Sequence, residues 1–349
     1  MSVQVSEARE LLVKLVRIPS VSGNEEPCAR QLASFFERNG REVWLDEVGN
    51  VRAPADDGVL LTSHIDTVPG DIPVHVEQDE EGRDVLWGRG SVDAKGPLAS
   101  MAAAAVRTGA SFIGVVGEEV DSRGSRYVVE TRETEPDAVI NGEPSGWNGI
   151  TLGYRGILGG TYLGTSESGH SSRPDNNAIQ DAMDWWRRVE AEFDNDEYVP
   201  VFEQVTCKPT GFEGGLSDDG LSVEVTMDVQ LRVPPKYAAD EVRERADGCL
   251  DAGTVNWHDV VEPVMESPRT PLARAFRVAI RNQGGEPRML RKTGTSDMNV
   301  FAHHWDVPIV SYGPGDSDLD HAPDERLVLS EYDKAVDVLV DVTETLLEP

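Results

Sequence analysis

The sequence is poor in cysteine, in lysine and in positive charge generally. Its three cysteines, Cys28, Cys207 and Cys249, form no CxxC pair and are too few for a disulfide framework. They read as small hydrophobic residues in a reducing compartment. Six lysines accompany 26 arginines, and these 32 basic residues face 63 acidic ones, for a net charge of −31. A surface so acidic repels nucleic acid and anionic lipid, which argues against both as partners. No apolar run is long enough to span a bilayer, and the first six residues lack the basic and apolar regions of a secretory signal. The expectation is a soluble, cytoplasmic protein. The acids are spread along the whole chain, which points to a halophilic setting where salt screens their repulsion. A phosphate-binding loop is missing too. Gly88-Arg89-Gly90-Ser91-Val92-Asp93 begins like a dinucleotide fingerprint but puts Asp93 where the third glycine belongs.

What the chain does contain is a series of short apolar runs ending on acids or histidine. Leu60-Leu61-Thr62-Ser63-His64-Ile65-Asp66-Thr67-Val68-Pro69 reads as a buried strand that closes on His-x-Asp before a Pro-Gly breaker. Side chains alternate along a strand, so His64 and Asp66 are expected on one face at its C-terminal end, where open α/β sheets place their sites. A neutral imidazole suits zinc, and a neighbouring carboxylate can fix its tautomer from behind. Residues 111–116 form a second such strand and lead into Gly117-Glu118-Glu119-Val120-Asp121. Adjacent carboxylates at the end of a core strand repel unless a cation or a proton intervenes. Residues 137–140 form a third and deliver Glu143. Asp93 lies in the glycine-rich turn before an alanine-rich helix, 98–106, that Pro97 starts. Taken singly, each feature has a plainer reading as a core histidine, a turn aspartate or a solvated acidic turn.

The 349 residues, 39% of them hydrophobic, suffice for one large or two ordinary domains. Ser6 is expected to cap a first helix that Pro19 ends, and Asn24 to open a second that stops at Gly40. Residues 74–77 and 85–87 read as a hairpin or edge pair. From Gly156 the pattern changes to strand (156–164), helix (178–192), strands near 199–207 and 221–233, helix (239–250) and strand (254–261). That order is the ferredoxin-like βαββαβ arrangement. It reads as a domain of residues 156–261 inserted into an α/β domain built from 1–155 and 262–349. The α/β domain is expected to hold a mixed, mostly parallel sheet with helices on both faces, completed by a helix at 272–282, a strand at 307–311 and a helix at 331–347. Trp185 and Trp186 read as packing or interface residues.

His64-x-Asp66, Asp93, Glu118-Glu119, Glu143 and His321, in that order and in those surroundings, resemble the dinuclear zinc aminoacylase and carboxypeptidase family. That family includes acetylornithine deacetylase and succinyl-diaminopimelate desuccinylase. The resemblance covers essentially the whole chain. Gly153-Tyr154-Arg155-Gly156 and Lys292-Thr293-Gly294-Thr295-Ser296-Asp297-Met298-Asn299 are most similar to the hydrolases that release lysine or ornithine from an amino-group carrier protein.

The resemblance implies a zinc-peptidase-like catalytic domain with an inserted lid and dimerisation domain, a homodimer, and two zinc ions per subunit. Cobalt or manganese would suit the same ligands. His64 and Glu143 would hold one metal, Glu119 and His321 the other, with Asp93 between them. Asp66 would orient His64, Glu118 would be the general base, and His170, in Gly169-His170-Ser171-Ser172-Arg173-Pro174, would stabilise the oxyanion. Arg232 is similar to the arginine that pairs with the substrate carboxylate. Arg155 and Lys292 are further candidates for substrate contact. The implied reaction frees lysine or ornithine from the γ-glutamyl terminus of a small acidic carrier protein, in lysine or arginine biosynthesis. Deacetylases, desuccinylases and dipeptidases would share every metal residue, and a non-catalytic binding protein on the same fold is the alternative of another class.

Overall fold

The computed structural model describes residues 5–170, 172–195 and 197–348. Ser171, in the run around His170, and the first four residues, part of the stretch read for a signal sequence, lie outside them. The chain divides into two compact units, one of residues 1–153, 266–290 and 296–349 and the other of residues 154–265 and 291–295.

The first unit is built on a mixed sheet. Ala110–Val115, Asp56–His64, Val139–Gly142 and Ile309–Tyr312 lie side by side in that order and run parallel. Val51–Ala53 adds antiparallel at one side and Gly149–Tyr154 at the other. The parallel strands are near-continuous apolar runs because both their faces are covered. Leu61, Phe112, Ile140 and Val310 are buried in one core with Leu98 and Ala102 of the helix Lys95–Thr108 and Leu339 of the helix Leu329–Leu347. The alanines of Lys95–Thr108 are fully buried, and their small side chains let neighbouring elements approach closely. Val5–Val16 and Glu26–Arg38 bring Leu11, Leu12, Leu32 and Phe36 into the same core. His75–Gln78, Asp84–Trp87 and Arg326–Val328 form a small antiparallel sheet, so the expected edge pair carries a third strand from the far end of the chain.

The second unit has the order strand (Gly156–Glu167), helix (Ala178–Glu192), strands (Thr206–Leu216 and Ser222–Val233), helix (Ala239–Asp247) and strand (Thr254–Val261). Its antiparallel sheet places the second strand beside the third, then the first, then the fourth, the ferredoxin-like arrangement. Asn177 and Gln180 form a reciprocal cap on Ala178–Glu192. Trp185 stacks on Tyr162 with ring centroids 5.0 Å apart, and both tryptophans sit in this unit's core.

Several expectations change in detail. The strand expected near 199–207 is a short 3₁₀ turn, Val201–Glu203, followed by the long strand Thr206–Leu216. Arg291–Thr295, read as part of the α/β domain, clusters with the second unit. The strand Gly149–Tyr154 and the helices Arg123–Thr131 and Asp297–His304 were not expected at all. Among the described residues no helix is long and apolar enough to cross a membrane.

Candidate metal centre

His64 is the last residue of its strand and is 1% exposed. Its Nδ1 lies 2.9 Å from the backbone oxygen of Asp66, which can only accept, so Nδ1 is the donor. That leaves Nε2 facing Asp93 Oδ1 at 3.2 Å. The Asp66 carboxylate stands further from Nδ1, at 3.6 Å. It accepts instead from Ser22 Oγ at 2.7 Å and from the backbone amides of Glu118 and Glu119, each at 3.2 Å. Asp66 thus orients His64 chiefly through its carbonyl and spends its charge holding the glutamate turn. The strand ends at His64, so Asp66 lies beyond it rather than two pleats along the same face.

Asp93 precedes the helix Lys95–Thr108, and its two oxygens face different histidines. Oδ1 faces His64, and Oδ2 lies 3.1 Å from His321 Nε2. The same His321 nitrogen is 3.0 Å from Glu119 Oε2. His321 takes φ of +61°, a left-handed conformation that side chains with a Cβ seldom adopt, and its ring is half exposed. Glu118 and Glu119 lie in a turn that begins at Gly117 (φ +77°), not in the extended backbone expected of them. Alternation therefore does not apply to them; the amides of both are anchored on the Asp66 carboxylate. Glu143 is the residue after Val139–Gly142, and it is buried.

The electrostatics follow from so many carboxylates in one place. Burial pushes the Glu118 carboxyl well up, and the charges of Glu143, Asp297 and Glu119 add to this against His64. Burial opposes charge on His64, but the nearby carboxylates of Asp66 and Asp93 hold its pKa well above the usual imidazole value. Hydrogen bonds to Asp93 and Glu119 raise His321 to about 10. Asp93 is held well below the ordinary range by both histidines, despite burial.

A pair of divalent cations fits this donor set. The donor atoms of His64, Asp93 and Glu119 all lie within 4.8 Å of one another. The separations of 3.0 to 3.2 Å among His64, Asp93, Glu119 and His321 approach the edge of a zinc tetrahedron, about 3.3 Å for bonds of about 2.0 Å. Imidazole and carboxylate are ligands that zinc, cobalt and manganese accept. Cations there would neutralise charge that protons on His64 and His321 otherwise offset.

The other candidates belong to the second unit. His170 is exposed, and its Nδ1 is 2.8 Å from Ser172 Oγ. The Arg155 guanidinium donates to the carbonyls of Thr293 and Val201 and to the Thr206 hydroxyl, so much of its donor capacity serves its own unit. Burial and the neighbouring charge of Arg232 lower it to about 10. Arg232 Nη1 is buried and has no hydrogen-bond partner among the described residues. Lys292 ends the strand Arg288–Lys292 and is half-buried. Two contributors to the centre had no role assigned from sequence. Ser22 anchors Asp66, and Asp297, fully buried, accepts from Ser125 Oγ at 2.6 Å and adds its charge beside Glu118. The second lies within the run Lys292–Asn299, whose only signal in the sequence is the family resemblance.

A protein of Deinococcus radiodurans named LysW-lysine hydrolase is 43% identical over an alignment that covers 97% of each chain. A Thermococcus kodakarensis protein named as a putative LysW-lysine/LysW-ornithine hydrolase is 38% identical over 97% of this chain and 92% of its own. An M20 family metallo-carboxypeptidase from Sulfolobus solfataricus superposes with a TM-score of 0.76 at 19% identity, covering 97% of this chain and 99% of its own. A dinuclear metal-binding M20 peptidase from Bacillus subtilis gives 0.70 at 14% identity, covering 99% and 98%. The profile of peptidase family M20/M25/M40 matches residues 60–345. That match takes in most of the length, and the chain accordingly belongs to peptidase family M20/M25/M40.

Proposed function

We propose that the protein is a metal-dependent amide hydrolase that releases lysine or ornithine from the γ-glutamyl terminus of a small acidic carrier protein, within lysine or arginine biosynthesis. The observation that carries the hydrolytic part is the Asp93 carboxylate shared between His64 and His321, with Glu119 against the second imidazole. The names of the full-length relatives support the substrate.

His64, Glu143, Glu119, His321 and a bridging Asp93 would hold two divalent cations, with zinc first choice and cobalt able to replace it. Bound there, the cations would polarise the scissile carbonyl and acidify the attacking water. Glu118 is the chain's own base: burial raises the proton affinity of its carboxylate, so in its ionised form it would accept a proton from the attacking water and pass it to the leaving amine. Asp66 keeps Glu118 in place through the turn amides. His170 donates to the developing oxyanion, and Arg232, with its unsatisfied Nη1, pairs with the substrate carboxylate. Arg155 and Lys292 contribute positive charge to substrate contact. A cytoplasmic homodimer with the second unit as lid and dimerisation domain completes the reading, and light scattering in high salt checks the dimer.

The test sets carrier-linked lysine and ornithine beside acetylornithine, succinyl-diaminopimelate and dipeptides, in high salt with zinc or cobalt. Release from the carrier is expected to dominate; rapid turnover of acetylornithine alone would reject the carrier. Glu118→Gln should bind metal normally and lose about 10²- to 10⁴-fold in kcat. Full activity in that variant would remove Glu118 as the base.

A further inference from the structure

Glu325 lies outside every role so far assigned, yet it is fully buried. Its carboxylate gathers four donors. The backbone amides of Val92 and Asp93 donate to Oε1 at 2.8 and 3.0 Å. The backbone amide of Gly90 and Arg89 Nη1 donate to Oε2 at 3.0 and 2.8 Å. The loop between Trp87 and the helix Lys95–Thr108 bends through Gly88 and Gly90, both at positive φ, so its amides turn inward instead of pairing with a strand. Three of those amides would be buried donors without Glu325.

Glu325 is itself fixed. It immediately precedes Arg326–Val328, which pairs with Asp84–Trp87, and its own carbonyl accepts from Gly88 at 3.3 Å. Four residues before it stands His321. One buried side chain thus ties the loop bearing Asp93 to the segment bearing His321, and Asp93 is the residue whose oxygens face both histidines.

We propose that Glu325 is a positioning residue of the metal centre: it sets the height and rotation of Asp93 between His64 and His321, and so the spacing of the two cation positions. The inference rests on the metal centre described above. The chemistry requires a carboxylate there. Either oxygen meets two donors, so a glutamine would turn an N–H toward a pair of donors whichever way its amide faced. All four groups that meet it are donors, three backbone amides and the Arg89 guanidinium, and a carboxylate can accept from every one of them. An aspartate would keep the charge but fall short by one methylene.

Glu325→Gln, Glu325→Asp and wild type are stripped of metal and titrated with cobalt against a chromophoric chelator. Cobalt d–d spectra, circular dichroism of the metal-free forms, kcat and KM are recorded on the same preparations. Wild type should take up two cobalt ions. Glu325→Gln should keep its secondary structure, bind cobalt about 10- to 100-fold more weakly, show altered d–d bands, and lose kcat with KM within about twofold. Glu325→Asp should fall between them, which a general packing role would not produce. Wild-type affinity and spectrum in Glu325→Gln would overturn the role. Should that variant fail to fold, wild-type affinity and spectrum in Glu325→Asp would overturn it equally. A wild-type protein that takes up no cobalt would sink the metal centre itself, and this role with it.

Discussion

Asp297 shows what a single carboxylate costs in this cleft. One oxygen accepts from Ser125; the other is buried without a hydrogen-bond partner among the described residues. Burial, joined by the charge of Asp66 and opposed by Ser125 and His64, pushes its pKa up to about 6 from 3.8. The folded protein therefore binds this proton more tightly than the unfolded chain does. The stability it confers is complete below about pH 3.8 and lost as pH rises through about 6. Two pKa units correspond to about 3 kcal/mol as an order of magnitude. Asp297→Asn mimics the protonated form at every pH. Urea unfolding of the metal-free proteins in high salt should show the variant gaining on wild type by about 3 kcal/mol between pH 4 and pH 7.5. A difference independent of pH would mean that Asp297 is not the strained group. Loading the metals should shrink the gain, because the cations offset the same excess negative charge.

At the scale of elements, the centre depends on how closely two strands approach. Ser63 pairs with Gly142 in the parallel ladder, and each immediately precedes a proposed ligand, His64 or Glu143. A Cβ added at Gly142 would stand 2.5 Å from Ser63 Cβ and 3.0 Å from Thr62 O. Gly142→Ala must push the strands apart, at a cost of about 1–3 kcal/mol. Cobalt titration should show it binding metal at least about tenfold more weakly, with a matching drop in urea stability. Wild-type values for both would show that the sheet relaxes without moving its ligands. This same pair of strands was legible in the sequence, because an apolar run followed by an acid or histidine is a strong local pattern. Gly149–Tyr154 was not, since two glycines mask a strand whose every residue is buried. Asp297–His304 is short and begins inside a polar run, so its cap, Ser296 with Asn299, did not stand out. The five metal-ligand candidates could be named only through the family resemblance of the ordered motifs, not from any one local pattern. The turn that carries Glu118 and Glu119, and the tie from Glu325 to Asp93 across 232 residues, depend on tertiary pairing that no local pattern encodes.

At the scale of the whole molecule, the charge of −31 sets the conditions under which all of this holds. The arginines that could offset it are partly committed to single acids: Arg52 to Asp46, Arg89 to Glu325, Arg107 to Asp337. Repulsion among the remaining acids is left to solvent cations. The screening length falls from about 10 Å at 0.1 M salt to about 3 Å at 1 M, which is shorter than typical spacings between surface charges. The melting temperature of the metal-saturated protein should therefore rise by several degrees between 0.1 and 1 M KCl and then flatten as screening is complete. Saturating the metal sites first keeps their occupancy constant, so the change reports the surface. A neutral osmolyte at matching osmolarity should not reproduce the steep early rise, because it strengthens burial without screening charge. A melting temperature flat in KCl, or one that climbs equally in the osmolyte, would show that self-repulsion is not what limits the fold.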